Sequence, residues 1–149
     1  MSIWFKPFSV DDINAYQRDT LVSHLGIRYT EVGEDFLSAT MPVDARTKQP
    51  AGILHGGASV ALAETLGSTG ANMVLDRDKK LAVGLEINAN HIRAMREGEV
   101  HGIARPLHIG GTTQVWEIRV SDGEERLVCV SRITMAVLDK ASLAKHSVP

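Results

Sequence analysis

The sequence predicts an α+β fold in which a curved antiparallel sheet wraps around one long central helix. Three observations carry that prediction. One helical segment, Gly56 to about Leu75, is far longer than any other and is made almost wholly of small and apolar residues. Strand candidates flank it, a pair before and a longer set after, the later ones separated by turns containing Gly98, Gly110-Gly111 and Gly123. The 149 residues contain no internal repeat, low-complexity tract or linker, so one domain spanning 1–149 with a single core is expected.

Residues 1–20 read as an N-terminal extension of that domain. Within it Ser9-Val10-Asp11-Asp12 is a helix start, with Ser9 or Asp11 as cap. His24 to Tyr29 and Phe36 to Met41 read as two short strands joined by a Gly33-Glu34-Asp35 turn, and Pro42 to Pro50 as a polar loop. In the long helix Leu62, Leu66 and Met73 recur at helical spacing and form one apolar stripe for the sheet to cover. The small residues around them (Ala58, Ala61, Ala63, Gly67, Gly70 and Ala71) let a sheet or a partner chain approach closely. Leu81 to His91, Val100 to His108, Thr113 to Val120 and Leu127 to Leu138 then read as a four-strand antiparallel meander. Residues 139–149 read as a loose tail.

Composition narrows the function classes. A net charge of −2 gives no reason to expect a nucleic-acid partner. The nearest basic cluster, Arg77 with Lys79 and Lys80, is interrupted by Asp76 and Asp78 and reads as a solvated loop. No apolar run reaches membrane-spanning length, and MSIWFKPFSVDD lacks the apolar stretch of a secretory leader. The single cysteine, Cys129, sits in an apolar alternating segment and reads as a core residue. These points favour the cytoplasm. His24, His55, His91, His101 and His108 have no close metal-site spacing, so neither a metal nor another cofactor is expected.

The most informative stretch is Gln49 to Ser68, QPAGILHGGASVALAETLGS. A helix N-terminus presents unpaired N–H groups and a partial positive charge, and Gly56 and Gly57 let a ligand come close to them. Glu64 is two residues from both Leu62 and Leu66, roughly 200° around the helix from them at about 100° per residue. It therefore points away from the core stripe, on a face otherwise nearly free of charge. A solvated helix face usually carries several charges, so this face is expected to be covered by a second subunit, with Glu64 in the cleft between two copies. An oxyanion binder, a carboxylate and a hydroxyl at Ser68 together suit acyl transfer. His55 reads either as a helix cap or as a direct participant, and Ser68 either as a packing residue or as an orienter.

Three segments, MPVDARTKQPAGILHGGASVALAETLGS, VGLEINANHIR and TTQVWEIRV, carry a resemblance to a known family over about Val22 to Leu138. They resemble the hotdog-fold acyl-CoA thioesterases, in the group with type II 4-hydroxybenzoyl-CoA thioesterase and the phenylacetate-pathway enzymes. Within it the chain is most similar to thioesterases acting on 1,4-dihydroxy-2-naphthoyl-CoA or proofreading aryl carrier proteins in siderophore synthesis. The resemblance implies hydrolysis of an acyl-CoA or acyl-carrier-protein thioester, without a cofactor, by a homotetramer built as a dimer of dimers. It also implies roles. Glu64 is the catalytic carboxylate, as nucleophile or as general base. Gly56 supplies the N–H that polarises the thioester carbonyl, Gln49 holds the substrate near it, and Ser68 orients the attacking group. His55 belongs to the HGG motif, and His91 lines the acyl pocket. Gly57, Arg93 and Gly110 are further candidate substrate contacts: Arg93 reads either as a contact to coenzyme A phosphates or as a solvated arginine, and Gly110-Gly111 either as a hairpin turn or as a phosphate contact. The chain departs from the family's pattern at Ala51, where an aromatic is common, at Ala94 and at Gly111. A non-catalytic acyl-CoA sensor on the same fold is the alternative.

Overall fold

Strand alternation sets the inner and outer faces of the sheet. Along β5 (Thr113–Ser121), Gln114, Trp116, Ile118 and Val120 are buried, whereas Val115, Glu117 and Arg119 turn outward. β6 (Leu127–Asp139) repeats the pattern with Cys129, Ser131, Ile133, Met135 and Val137 inside. Cys129 is thus a core residue, and burial pushes its thiol pKa up, away from nucleophile chemistry. The computed structural model describes residues 1–144.

The remaining strands are β1 (Arg28–Val32), β2 (Leu37–Pro42), β3 (Lys80–His91) and β4 (Glu99–Ile109). All six form one antiparallel sheet in the order β1-β2-β4-β5-β6-β3. The later four strands are therefore not a simple meander. β4 pairs with β2, while β3 lies on the far edge against β6. The long helix explains this. α3 (Gly56–Met73) has 18 residues, about 27 Å at 1.5 Å per residue. Four strand spacings separate β2 from β3, about 19 Å at ~4.8 Å each. Helix α3 thus carries the chain across one face of the sheet and delivers β3 to the opposite edge.

The predicted stripe is the buried one: Leu62 and Leu66 are fully buried and Met73 nearly so. Small residues let the helix sit low on the sheet. A Cβ at Gly67 would lie 2.5 Å from the Ile133 side chain, and one at Gly70 would lie 2.8 Å from the Trp116 ring. Tyr29 of β1 reaches the same helix, its hydroxyl 2.7 Å from Thr69 Oγ1, and burial pushes its pKa up to about 12.

Two segments differ from expectation. Residues 21–24 form a helical turn, α2 (Leu21–His24), and β1 begins only at Arg28. The Thr20 N–H donates to Ser23 Oγ at 3.2 Å, and Gly26 at φ +72° ends the turn, so the chain becomes extended late. The expected loose tail is in part ordered: β6 runs through Asp139, and α4 (Lys140–Ala144) follows, with the Lys140 N–H donating to Lys79 O at 2.9 Å. Residues 145–149 of that tail lie outside the described residues.

The N-terminal extension is packed into the domain. α1 (Val10–Tyr16) starts at the expected cap, Ser9, whose hydroxyl accepts from the Asp12 N–H at 3.1 Å. Trp4 stacks on Trp116 with ring centroids 6.2 Å apart and donates to Gly33 O at 2.6 Å. The Phe5 N–H donates to Met73 O at the end of α3. Asn14 exchanges two hydrogen bonds with the Tyr29 backbone, at 3.0 and 2.9 Å. Among the described residues no helix is long and apolar enough to cross a membrane.

Candidate active site

His55 is the N-cap of α3. Its Nδ1 accepts from the Gly57 N–H at 2.8 Å, and its carbonyl accepts from Ala58 and Ser59 at 2.9 and 3.2 Å. The imidazole is thus used as a cap, and the Gly57 N–H is not free to meet substrate. The Gly56 N–H donates no hydrogen bond among the described residues. It is the orphan donor at this helix start.

His91, the last residue of β3, lies over that donor. A Cβ at Gly56 would stand 2.8 Å from His91 Nε2, so glycine is needed there for the histidine to sit where it does. Gln49 is on the same side. Its Oε1 accepts from the Ala51 N–H at 2.6 Å, which leaves its amide NH2 unengaged. Gln49, Gly56, His91 and Arg93 line one cleft of about 290 Å³, floored by Ile53 and Leu54. Ala51 is exposed in the 49–52 turn.

Glu64 faces β3 from the middle of α3. Its Oε1 is 2.9 Å from where a Cβ at Gly84 would be. β3 is irregular there: the register with β6 shifts between Gly84 and Glu86. The carboxylate is half-buried, and among the described residues it has no hydrogen bond and no ion pair. Its pKa is pushed above the ordinary glutamate value by desolvation alone. Ser68 lies one turn on, its hydroxyl also without a partner. Asn72 fixes this part of the helix. Its Nδ2 donates to Ser68 O at 2.9 Å and to Ala82 O at 3.0 Å, and its Oδ1 accepts from the Ala82 N–H at 3.0 Å.

The geometry at Gly84 has a measurable consequence. A methyl group at position 84 would meet the mobile end of Glu64 rather than backbone, so the fold can absorb it by moving the carboxylate. A misplacement of about 1 Å can lower a rate about 10²-fold. If Glu64 is the reacting carboxylate, Gly84→Ala is expected to leave Tm nearly unchanged while kcat falls at least tenfold, on the order expected for such a shift. A fully active Gly84→Ala enzyme would show that the carboxylate's position against β3 is irrelevant.

The expected site residues thus fall into two groups. Gln49, Gly56, His91 and Arg93 gather at the start of α3. Glu64 and Ser68 line a second, larger cleft of about 650 Å³ that shares no lining residue with the first. Glu64 is about 12 Å along the helix axis from Gly56 at 1.5 Å per residue. One chain does not bring the carboxylate to the free Gly56 N–H. Gly110 is in neither cleft: it sits in the β4–β5 turn, its N–H donating to Thr113 O at 2.9 Å. Sequence reasoning missed the roof of the larger cleft, which comes from Phe8, Ile13, Tyr16 and Val22. The periodic Ile13 and Tyr16 after the Ser9 cap were its only sequence signal.

Residues 51–129, a span from the loop before α3 to β6, match the family model described as the thioesterase superfamily. The chain belongs to the thioesterase superfamily. The 1,4-dihydroxy-2-naphthoyl-CoA hydrolase of Escherichia coli is 50% identical over 136 residues, which cover 91% of this chain and 99% of that protein. The proofreading thioesterase EntH of Cronobacter turicensis is 52% identical over 136 residues, covering 91% and 98%. A crystal structure of a Haemophilus influenzae thioesterase superposes with a TM-score of 0.91 at 46% identity, covering 98% of this chain and 99% of that one. The six-stranded sheet around one long helix is the hotdog fold of these enzymes, and this thioesterase is a thioester hydrolase.

Proposed function

We propose that this enzyme hydrolyses the thioester of an aromatic or related cyclic acyl-CoA, or of the same acyl group on a carrier protein, with Glu64 as the reacting carboxylate. The observation that carries the reading is that carboxylate: half-buried, unpaired, raised in pKa, and held against a glycine at a strand irregularity. Structural glutamates in such places are normally paired. As general base, Glu64 takes a proton from water as the water oxygen bonds to the thioester carbon. As nucleophile, its oxygen attacks that carbon directly, and water then cleaves the anhydride. In both routes negative charge develops on the carbonyl oxygen, and the free Gly56 N–H is suited to receive it, with the unengaged Gln49 amide beside it. Collapse expels the thiolate, which leaves as the thiol after taking up a proton. His91 stands over the same donor and lines the acyl side.

The two groups meet when two copies are joined about a two-fold axis, one supplying Glu64 and Ser68, the other Gln49, Gly56 and His91. The far sheet edge supports that assembly. β3 pairs only with β6, and beside its open edge Val83 and Leu85 are 37% and 63% exposed. The dimer of dimers remains part of the proposal through the family resemblance. A cytoplasmic location fits one buried, unpaired cysteine.

The preference for rings rests on polar groups at both clefts, Gln49 and His91 in one and the Ser68 hydroxyl in the other, because a site built to bind a ring hydroxyl rejects acyl groups that lack it. Thiol release from hydroxybenzoyl-CoA and hydroxynaphthoyl-CoA, compared with palmitoyl-CoA and acetyl-CoA, tests it. The ring substrates are expected to lead in kcat/KM by at least about tenfold. A lead for either aliphatic substrate overturns the assignment.

A further inference from the structure

The larger cleft has an asymmetry that the chemistry above does not use. Its floor is the polar face of α3, and its roof is the N-terminal segment, which precedes the span matched by the family model. On the floor Glu64 is followed by Thr65 and Ser68, whose hydroxyls have no partner among the described residues. The Thr69 hydroxyl is occupied by Tyr29. The apolar part of the roof is Phe8, Ile13, Tyr16 and Val22, with Lys6, Asp12 and Gln17 of the same segment also lining the cleft. Ile13 is buried and Phe8 packs against the core, whereas Tyr16 is 76% exposed.

We propose that this N-terminal segment is the selectivity wall of the acyl pocket, with Phe8 and Tyr16 setting how large a ring system fits beside Glu64. The apolar patch of Phe8, Ile13, Tyr16 and Val22, facing free hydroxyls, suits a flat ring with a polar substituent: the ring face lies on that patch and the substituent donates or accepts at Thr65 or Ser68. The roof is fixed rather than draped. Trp4 on Trp116 and Phe5 on Met73 anchor it before Phe8, and Asn14 on Tyr29 after it, to three separate elements. A wall held at that many points has a definite height, and a definite height discriminates by size. The segment is also independent of the oxyanion site, since none of its residues lines the cleft at Gly56. This inference rests on the reading of Glu64 as the reacting group.

The test is the ratio of kcat/KM for a two-ring substrate, 1,4-dihydroxy-2-naphthoyl-CoA, to that for a one-ring substrate, 4-hydroxybenzoyl-CoA. A ratio is unaffected by the fraction of enzyme that is folded. Phe8→Ala is expected to raise it at least about tenfold, the low end of what a methylene-sized change in a pocket produces. Phe8→Trp is expected to lower it. Tyr16→Ala, at an exposed position where folding is not at stake, is expected to shift it in the same direction as Phe8→Ala. Ratios within about twofold of wild type in all three variants overturn the proposal. Glu64→Ala measured alongside separates the two readings. If it is inactive and the ratios do not move, the wall fails and the catalytic assignment stands. If it is active while the ratios move, the wall stands and the catalytic assignment fails.

Discussion

Glu64→Ala is expected to remain folded and to lose at least two, and up to four, orders of magnitude in kcat, the typical range for removal of an acid–base group. Alanine has the best helix propensity and the wild-type carboxylate has no partner to orphan, so nothing in the fold opposes the change. The same carboxylate predicts the pH profile. It acts only when ionised, and desolvation raises its pKa, so kcat/KM should fall as pH drops through a midpoint above the ordinary glutamate value of about 4.3. The effect on stability has the opposite sense. Between the unfolded and the raised folded pKa the native state binds more protons, so stability declines as pH rises through that window. Glu64→Gln removes this penalty. Its Tm should exceed that of wild type at neutral pH and converge with it below about pH 4, where both groups are neutral. The difference should be under about 4 °C, because a half-exposed group is screened to less than about 1 kcal/mol. An active Glu64→Ala enzyme, or an activity profile flat from pH 4 to 8, a range spanning the ordinary glutamate pKa and neutrality, would remove Glu64 from the chemistry.

The helix was legible because its pattern is local. Leu62, Leu66 and Met73 mark the buried stripe by spacing alone, and the absence of other charges on the opposite face singles out Glu64 before any contact is known. Strand positions were legible for the same reason, alternation being a property of neighbours. What failed was non-local. Nothing in β3 says which strand it will pair with, and its place beyond β6 rather than beside β4 depends on how far α3 reaches across the sheet. The strand expected from His24 begins only at Arg28, because a Thr20–Ser23 hydrogen bond and the left-handed Gly26 hold the chain in a turn before it. The roof was invisible because its anchors pair residues far apart in sequence, Trp4 with Trp116 above all. The two-part division of the site was hidden in the same way. Gln49, Gly56 and Glu64 are close in sequence, yet a helix keeps residues eight apart well separated, whereas His91 reaches Gly56 only through the strand that follows.

That division leads to a large effect in a mixing experiment. Gln49→Ala in the oxyanion cleft and Glu64→Ala in the acyl cleft should each be nearly inactive alone, the first because loss of a group at the oxyanion site lowers rates on the order of 10²–10³. Among the described residues the Gln49 side chain makes one hydrogen bond, from the Ala51 N–H two residues on, so its loss leaves the fold intact. If each site takes Glu64 from one copy and Gln49 from the other, a two-fold pair of the two variants has one site with both defects and one with neither, whereas a pair of like variants has none intact. Co-expression with two different tags, followed by purification through both, isolates that species. Its activity per chain should recover to roughly a quarter to a half of wild type under two-fold symmetry, far above either parent. Doubly tagged oligomer in which cross-linking shows mixed pairs, yet no more active than its parents, would place the whole site within one chain. Failure to recover any doubly tagged species, with a chain that runs as a monomer in light scattering, would count equally against the shared site. Recovery has no explanation in a single-chain site, because each polypeptide present lacks one of the two groups.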